Sequence, residues 1–362
     1  MTTLLTESVA TKIPAKKKPI RPRLGFLGVG WIGKNRLEAI AADGIAEITA
    51  IADASPGAAG QVARSFPKAA VSSGLEELLE ADLDGIVIAT PSALHAGQAV
   101  SAFESGMAVF CQKPLGRNAE ETRRVVDAAR ASNRLLGVDL SYRFISAAQK
   151  VHQLCRSGEL GDVFAIDLIF HNGYGPDKPW FYDAKLSGGG CVIDLGIHLV
   201  DLALWNLGFP RVTNVTGRLF AQGAPIQSRR DTVEDYALAR LDLENGATVK
   251  LACSWKLPVG CDAVISAHFY GTKGAASFQN VNGSFYDFKA EHFLGTKREV
   301  LALPPENWGG CAAVDWARRL AADRSFSPEI ETVIQVAHAL DAIYDPATIK
   351  PQDISRTTFI HA

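Results

Sequence analysis

Two separated segments of this 362-residue chain carry side chains suited to proton transfer. Lys113 stands in Cys111-Gln112-Lys113-Pro114, directly after a short apolar run, which predicts an ammonium group at a strand end. There it can donate to a hydroxyl and stabilise alkoxide character, although an isolated Lys-Pro is more often a surface turn. Asp194 and His198 follow a Gly188-Gly189-Gly190 loop and are four residues apart. On a helix that spacing puts both on one face, where the carboxylate can orient the imidazole and the imidazole can exchange a proton. A lone pair of this kind is more often structural, and Lys113 shifts the balance toward chemistry. Metal binding is the weaker reading, because neither a third ligand nor a second histidine stands at a familiar helical spacing. Asp201 reads as a packing or helix-interaction residue.

A third segment suits a dinucleotide. Gly28, Gly30 and Gly33 form G-x-G-x-x-G, with Trp31 and Ile32 between, immediately after the apolar run Leu24 to Leu27. Gly28 permits the tight turn, Gly30 lets backbone approach a pyrophosphate, and Gly33 permits close helix packing, while the helix start offers oriented N–H donors. Asp53, at the end of the next strand, can accept bonds from both ribose hydroxyls and would repel a 2′-phosphate. NAD is therefore favoured over NADP, with Arg64 and Lys68 as the opposing signals.

The elements that must position these groups alternate regularly at first. Short buried strands at Leu24 to Leu27, Glu47 to Ala52, Gly85 to Ala89, Ala108 to Cys111 and Leu135 to Leu140 are separated by helical patterns at Gln61 to Phe66, Leu75 to Glu80, His95 to Ser105 and Ala119 to Ala131. That rhythm predicts an α/β domain over 24–141 with a parallel sheet covered on both faces. Beyond Tyr142 the segments Val163 to Phe170, Val212 to Phe220, Tyr236 to Leu243, Ala247 to Trp255 and Ala263 to Tyr270 alternate for one-face burial, and Asn245-Gly246 marks a hairpin. With helices at Ala147 to Ser157, Gly190 to Trp205, Cys311 to Ala321 and Glu329 to Ile343, residues 142–345 read as an α+β domain. Ala224 to Arg230 and Pro304 to Trp308 read as loops.

Composition narrows the partners. A hydrophobic share of 47% supports a large core without disulfides or a structural metal, and a net charge of −2 gives no general attraction to nucleic acid or anionic membrane. Apolar runs such as Ile45 to Ala52 fall short of the roughly 20 residues that span a bilayer. Six cysteines without a close metal-binding pair suit a reducing compartment, hence the cytoplasm. Residues 1–23 carry Lys12, Lys16, Lys17, Lys18, Arg21 and Arg23 against Glu7 and read as a flexible basic arm. Residues 346–362 read as a tail that can pack back on the protein.

In combination the glycine motif, Thr90-Pro91-Ser92-Ala93-Leu94-His95, Cys111-Gln112-Lys113-Pro114 and Asp194-Leu195-Gly196-Ile197-His198 resemble the glucose-fructose oxidoreductase, inositol dehydrogenase and rhizopine-catabolism (Gfo/Idh/MocA) family. The resemblance covers nearly the whole chain after residue 23. It implies a Rossmann domain followed by a domain with an open, predominantly antiparallel sheet, and a catalytic trio of Lys113, Asp194 and His198. Gln112 departs from the glutamate usual before the lysine. Thr90, Pro91, His95 and Lys113 join the glycine loop and Asp53 as cofactor contacts, with His95 organising its loop rather than acting as the main base.

The implied activity is oxidation of a secondary hydroxyl on an unphosphorylated sugar or cyclitol, or the reverse ketone reduction. In it His198 takes the hydroxyl proton, Lys113 stabilises the oxyanion, Asp194 fixes the histidine tautomer and NAD takes the hydride. Tyr142, Arg143, Asn172, Tyr174, Lys178 and Trp180 are candidate substrate contacts. Two other readings are a catalytically silent NAD(H)-binding sensor and a dihydrodiol or imine oxidoreductase. An open sheet face, together with the resemblance, implies a homodimer or homotetramer.

Overall fold

The computed structural model describes residues 21–228, 232–345 and 347. The first sheet contains β1 (Arg23–Leu27), β2 (Glu47–Ala52), β3 (Ala70–Ser72), β4 (Gly85–Ile88), β5 (Ala108–Cys111) and β6 (Leu136–Val138), in the order β3-β2-β1-β4-β5-β6. Each neighbouring pair is parallel. Both faces are covered, which is why β4 and β5 are buried throughout instead of alternating. The order reverses between β1 and β4, so their carboxyl ends open a crevice where ligands of such sheets bind.

One helix on this sheet comes from the far end of the chain. Ala312, Ala313, Trp316, Ala317 and Leu320 of the helix Cys311–Ala322 join the core formed by Leu24, Phe26, Val87 and Phe110, and the Trp316 ring lies 5.7 Å from Phe110. This segment falls within residues 142–345, which by sequence alone form the second domain, yet it packs on the first sheet. Its apolar spacing announces one buried face but is silent on which sheet will bury it. The helix Thr332–Tyr344 is shared: Val333 and Ile334 pack in the first domain, Val336, Leu340 and Ile343 in the second.

The second sheet contains β7 (Val163–Asn172), β8 (Val212–Ala221), β9 (Ala224–Ile226), β10 (Tyr236–Leu243), β11 (Thr248–Ser254), β12 (Ala263–Gly271), β13 (Ala275–Asn280), β14 (Phe288–Leu294) and β15 (Lys297–Ala302). Their order is β15-β14-β13-β12-β7-β11-β10-β8-β9, antiparallel except for β7 beside β11. The helices Ser146–Ser157, Ile197–Leu207 and Thr332–Tyr344 cover one face. The Asn245-Gly246 hairpin joins β10 to β11, with Gly246 at φ 85°.

Several expectations change. Ala224–Ile226 is a short edge strand and not loop, a position that tolerates Pro225. β3 and β13 to β15 add to the strands expected, although in β13 and β14 Ser277, Gln279, Lys289 and Glu291 alternate with Ala276, Phe278, Phe288 and Ala290 at the two-residue period of a strand. The second helix begins at Pro56, which suits a first helical position, and ends at Ala63. Arg23 pairs with Glu47 inside β1 and so belongs to the sheet instead of the arm. Residues 1–20 of that arm, and all of the tail but residue 347, lie outside the described residues. Ala184–Leu207 is apolar and long enough to cross a membrane, unlike the shorter runs that stand out in the sequence, but 83% of its most apolar window is buried within the protein.

Trp316→Ala is expected to cost about 3–5 kcal/mol, read as a lower denaturation midpoint. A loss below about 1 kcal/mol would contradict the docking of Cys311–Ala322 onto the first sheet.

Candidate active site

Backbone geometry explains the three glycines at the end of β1. Gly28 has φ 86°, and a Cβ there would stand 2.6 Å from the Ala89 carbonyl oxygen. At Gly33 a Cβ would meet the Gly28 oxygen at 2.0 Å, so the helix Trp31–Asp43 can approach the turn only without a side chain. Gly30 faces open space. No side chain caps that helix, so its first N–H groups face the space that Gly30 keeps clear.

Asp53 continues from β2 and accepts from the backbone N–H of Val29 through Oδ2 and of Ser55 through Oδ1, both at 2.8 Å. The glycine turn and the carboxylate are therefore locked together, and each oxygen retains a lone pair. Trp31 is exposed and Ile32 half-buried at the helix start. Across the crevice, Pro91 precedes the helix Ser92–Glu104, and the Thr90 hydroxyl donates to Gln98 Oε1 at 2.6 Å. His95 lies buried between the carbonyls of Pro114 and Thr90, 2.7 Å from each, and ties the loop after β4 to the loop after β5. This donor set, with its cleared turn, fits a dinucleotide.

Lys113 leaves β5 toward the second domain. Its Nζ donates to Asp194 Oδ1 at 2.7 Å and to the Asp194 carbonyl at 2.8 Å. Trp255, just beyond β11, donates its indole N–H to Asp194 Oδ2 at 3.1 Å. Both carboxylate oxygens are thus engaged, neither by His198. The expected Asp194–His198 pairing is replaced because Val192–Gly196 is a π-turn, which rotates Asp194 out of the regular helical register assumed for the pair.

His198 begins the following α-helix and is 6% exposed. Its ring lies 4.6 Å from Tyr142 and 6.3 Å from Phe170, and its buried Nδ1 has no partner among the described residues. Burial, assisted by the Lys113 ammonium and the Arg36 guanidinium, holds the imidazole well below the ordinary histidine range. A neutral ring can accept a proton. Asn172 is two residues beyond Phe170 on β7, on the same face, and its buried Oδ1 also lacks a partner. An unsatisfied buried acceptor on each of these elements leaves them open to a ligand hydroxyl.

The other expected contacts divide. Tyr142 touches His198, and Tyr174 is exposed beside Phe285, 5.9 Å between ring centroids. Arg143 instead forms a two-pronged ion pair with buried Asp201, against Trp205 and Phe209, so its guanidinium is committed inside the second domain. Lys178 pairs with Asp177 on the surface, and Trp180 stacks on Phe181 at 3.8 Å. Both are thus engaged with their own sequence neighbours and not with Lys113, Asp194 or His198.

Sequence reasoning missed three supports. Trp255 had a visible place at a strand end but no sign of its bond. Glu234, fully buried, accepts from Gly190 N–H at 3.0 Å, Val192 N–H at 2.9 Å and the Tyr344 hydroxyl at 2.7 Å, fixing the glycine loop that leads to Asp194. Gln112 donates to Asp139, which pairs with Arg36 at 2.6 Å. With a carboxamide at 112, the buried Asp139 carboxylate has a donor for a neighbour instead of a like charge.

The His198 midpoint in an NMR titration is expected below about 6.5, its unperturbed value. An unfolded chain would take up that proton first as pH falls. The stability contribution of neutral His198 is therefore complete above the unfolded value and is lost as pH drops toward the native one. A midpoint at or above about 6.5 would contradict the burial described.

Comparison with known proteins agrees with this geometry. The sequence profile of the oxidoreductase family with the GFO/IDH/MocA NAD-binding Rossmann fold matches residues 22–140, and that of the GFO/IDH/MocA C-terminal domain matches residues 148–277. D-glucoside 3-dehydrogenase of Escherichia coli (strain K12) is 27% identical over 64% of this chain and 69% of its own. Inositol 2-dehydrogenase of Rhizobium meliloti (strain 1021) is 29% identical over 71% and 76%. The solved structure of levoglucosan dehydrogenase with NADH and levoglucosan superposes with a TM-score of 0.78, at 22% identity, over 91% of this chain and 97% of that one, a likeness of fold. With a glycine turn cleared for a dinucleotide and both domain profiles matched, the chain belongs to the Gfo/Idh/MocA family and is an NAD(H)-dependent oxidoreductase.

Proposed function

We propose that the protein oxidises a secondary hydroxyl of an unphosphorylated sugar or cyclitol, or reduces the corresponding ketone, with Lys113, Asp194 and His198 at the reacting carbon. The observation that carries this reading is the 2.7 Å contact of Lys113 Nζ with Asp194 Oδ1 across the two domains, beside an imidazole kept neutral by burial. Relatives that act on glucosides and inositols support the substrate class.

In the oxidation His198 accepts the hydroxyl proton. Lys113 holds the oxygen as negative charge develops, and Asp194 holds Lys113, a role taken in place of fixing the imidazole. Asn172 Oδ1 offers an acceptor to a neighbouring hydroxyl. Bound NAD supplies the hydride acceptor, held by the Gly28 to Gly33 turn and Asp53. Tyr142 and Phe170 keep water from the imidazole, so the proton goes to a defined atom.

The uncovered face of the second sheet exposes Phe164, Leu238 and Tyr270, which supports association of copies of the chain into a dimer or tetramer. Light scattering reads the outcome directly, and a monomer at working concentration would overturn it. The six cysteines are free thiols, in keeping with a reducing compartment such as the cytoplasm.

Lys113→Ala and His198→Ala are each expected to lower single-turnover NADH formation by roughly 10²–10⁴-fold, with NAD affinity within about threefold of the parent. Equal losses in NAD binding and unchanged hydride transfer would refute the assignment. Asp53→Ala is expected to reduce the preference for NAD over NADP by about tenfold in separate titrations, by removing the carboxylate that repels a 2′-phosphate.

A further inference from the structure

Aromatic rings leave the reacting centre in two rows. In the first, Tyr142 lies on His198, Trp308 is 5.6 Å from Tyr142, and Tyr286 is 6.2 Å from Trp308. In the second, Trp255 holds Asp194 and Tyr182 stands 5.6 Å from Trp255. Exposure rises outward along both, from 8% at Trp308 to 52% at Tyr286 and from 2% at Trp255 to 40% at Tyr182.

The outer rings are tied together. Tyr174 packs on Phe285, the neighbour of Tyr286, while the Tyr182 hydroxyl donates to the Pro176 carbonyl at 3.0 Å in the loop that carries Tyr174. The Trp308 indole N–H donates to the Tyr286 carbonyl at 3.0 Å, fixing that backbone as well. The rim carries charges of both signs, Lys178 with Asp177, Lys256 over the Tyr182 ring at 4.7 Å and the Asp262 carboxylate near Tyr174, so it favours neither sign of ligand charge. A neutral ring suits such a surface, with an apolar face for the aromatic rings and a polar edge for their hydroxyls.

Tyr286 is separated from His198 by Tyr142 and Trp308, and Tyr182 from Asp194 by Trp255, so the exposed outer tyrosines lie beyond the groups that would hold the reacting sugar ring. We propose that Tyr174, Tyr182 and Tyr286 form an outer subsite for a second neutral ring, joined through a glycosidic oxygen to the sugar unit being oxidised. The substrate class is then glycosides, with either a sugar or an aryl group as the second ring. This inference rests on the dehydrogenase reading above and narrows it.

The test measures NADH formation by the full chain on free glucose, galactose, mannose and myo-inositol, on methyl and phenyl glycosides of each of the three sugars, and on cellobiose and lactose. The expected result is a kcat/KM at least about tenfold higher for a phenyl glycoside or a disaccharide than for the matching methyl glycoside, carried by KM. Which of the two is preferred separates an aryl from a sugar occupant. Tyr286→Ala is expected to remove that advantage and leave turnover of the methyl glycoside within about threefold, with Tyr286→Phe retaining most of it. Equal kcat/KM for methyl glycosides and two-ring substrates, or an equal loss on both in Tyr286→Ala, would overturn the subsite. Turnover of free sugars or myo-inositol alone would overturn the subsite and leave the dehydrogenase reading standing. No turnover of any of them would overturn both.

Discussion

A charged contact between two domains governs this molecule. Lys113 extends from the carboxyl end of a parallel strand, and Asp194 from a π-turn beneath the other sheet, and they meet at 2.7 Å. The contact is only partly buried, with the two side chains 20% and 15% exposed, so it is open to a ligand while still screened from bulk water. Truncating either partner would leave the other as a half-desolvated charge without its counter-ion, Asp194 keeping the Trp255 indole N–H and Lys113 a backbone carbonyl. Much of the surrounding architecture serves to hold those two atoms in register.

That service comes from both sides. On the first domain, Arg36, Asp139 and Gln112 form a buried polar group through the residue that precedes Lys113, and His95 staples the loop after it. On the second, Glu234 gathers Gly190, Val192 and Tyr344, so the end of the shared helix Thr332–Tyr344 is bonded to the approach to Asp194. Burial pushes the Glu234 carboxyl up, and its bonds to two backbone amides and a phenol offset that cost. The same burial that strains Glu234 keeps His198 neutral. One physical effect supplies both a rigid support and a base.

The sequence made the first domain legible because its signals are local. Three glycines, a strand before them and a carboxylate at the end of the next strand specify the turn from side-chain size, and the structure has the turn at the end of β1 with Asp53 bonded to it. The candidate site was legible as a set of residues and less so as a set of bonds. A four-residue spacing says that two side chains share a helical face only if the helix is regular, and the π-turn at Val192–Gly196 removes that condition. Arg143 was misplaced because its nearest carboxylate, Asp201, is 58 residues away in sequence. Glu234 and Trp316 gave no sign of their partners for the same reason: hydrophobic spacing and charge identify a buried group without naming what it is buried against.

The central claim is that a lysine from one domain and a histidine from the other act on the same oxygen. A crystal structure of the protein with NADH and a substrate alcohol measures this directly. Lys113 Nζ and one ring nitrogen of His198 are expected within about 3.2 Å of the same hydroxyl. A substrate oxygen held by other groups, with either nitrogen more than about 10 Å away, would contradict the account, since no proton could pass between them without a relay.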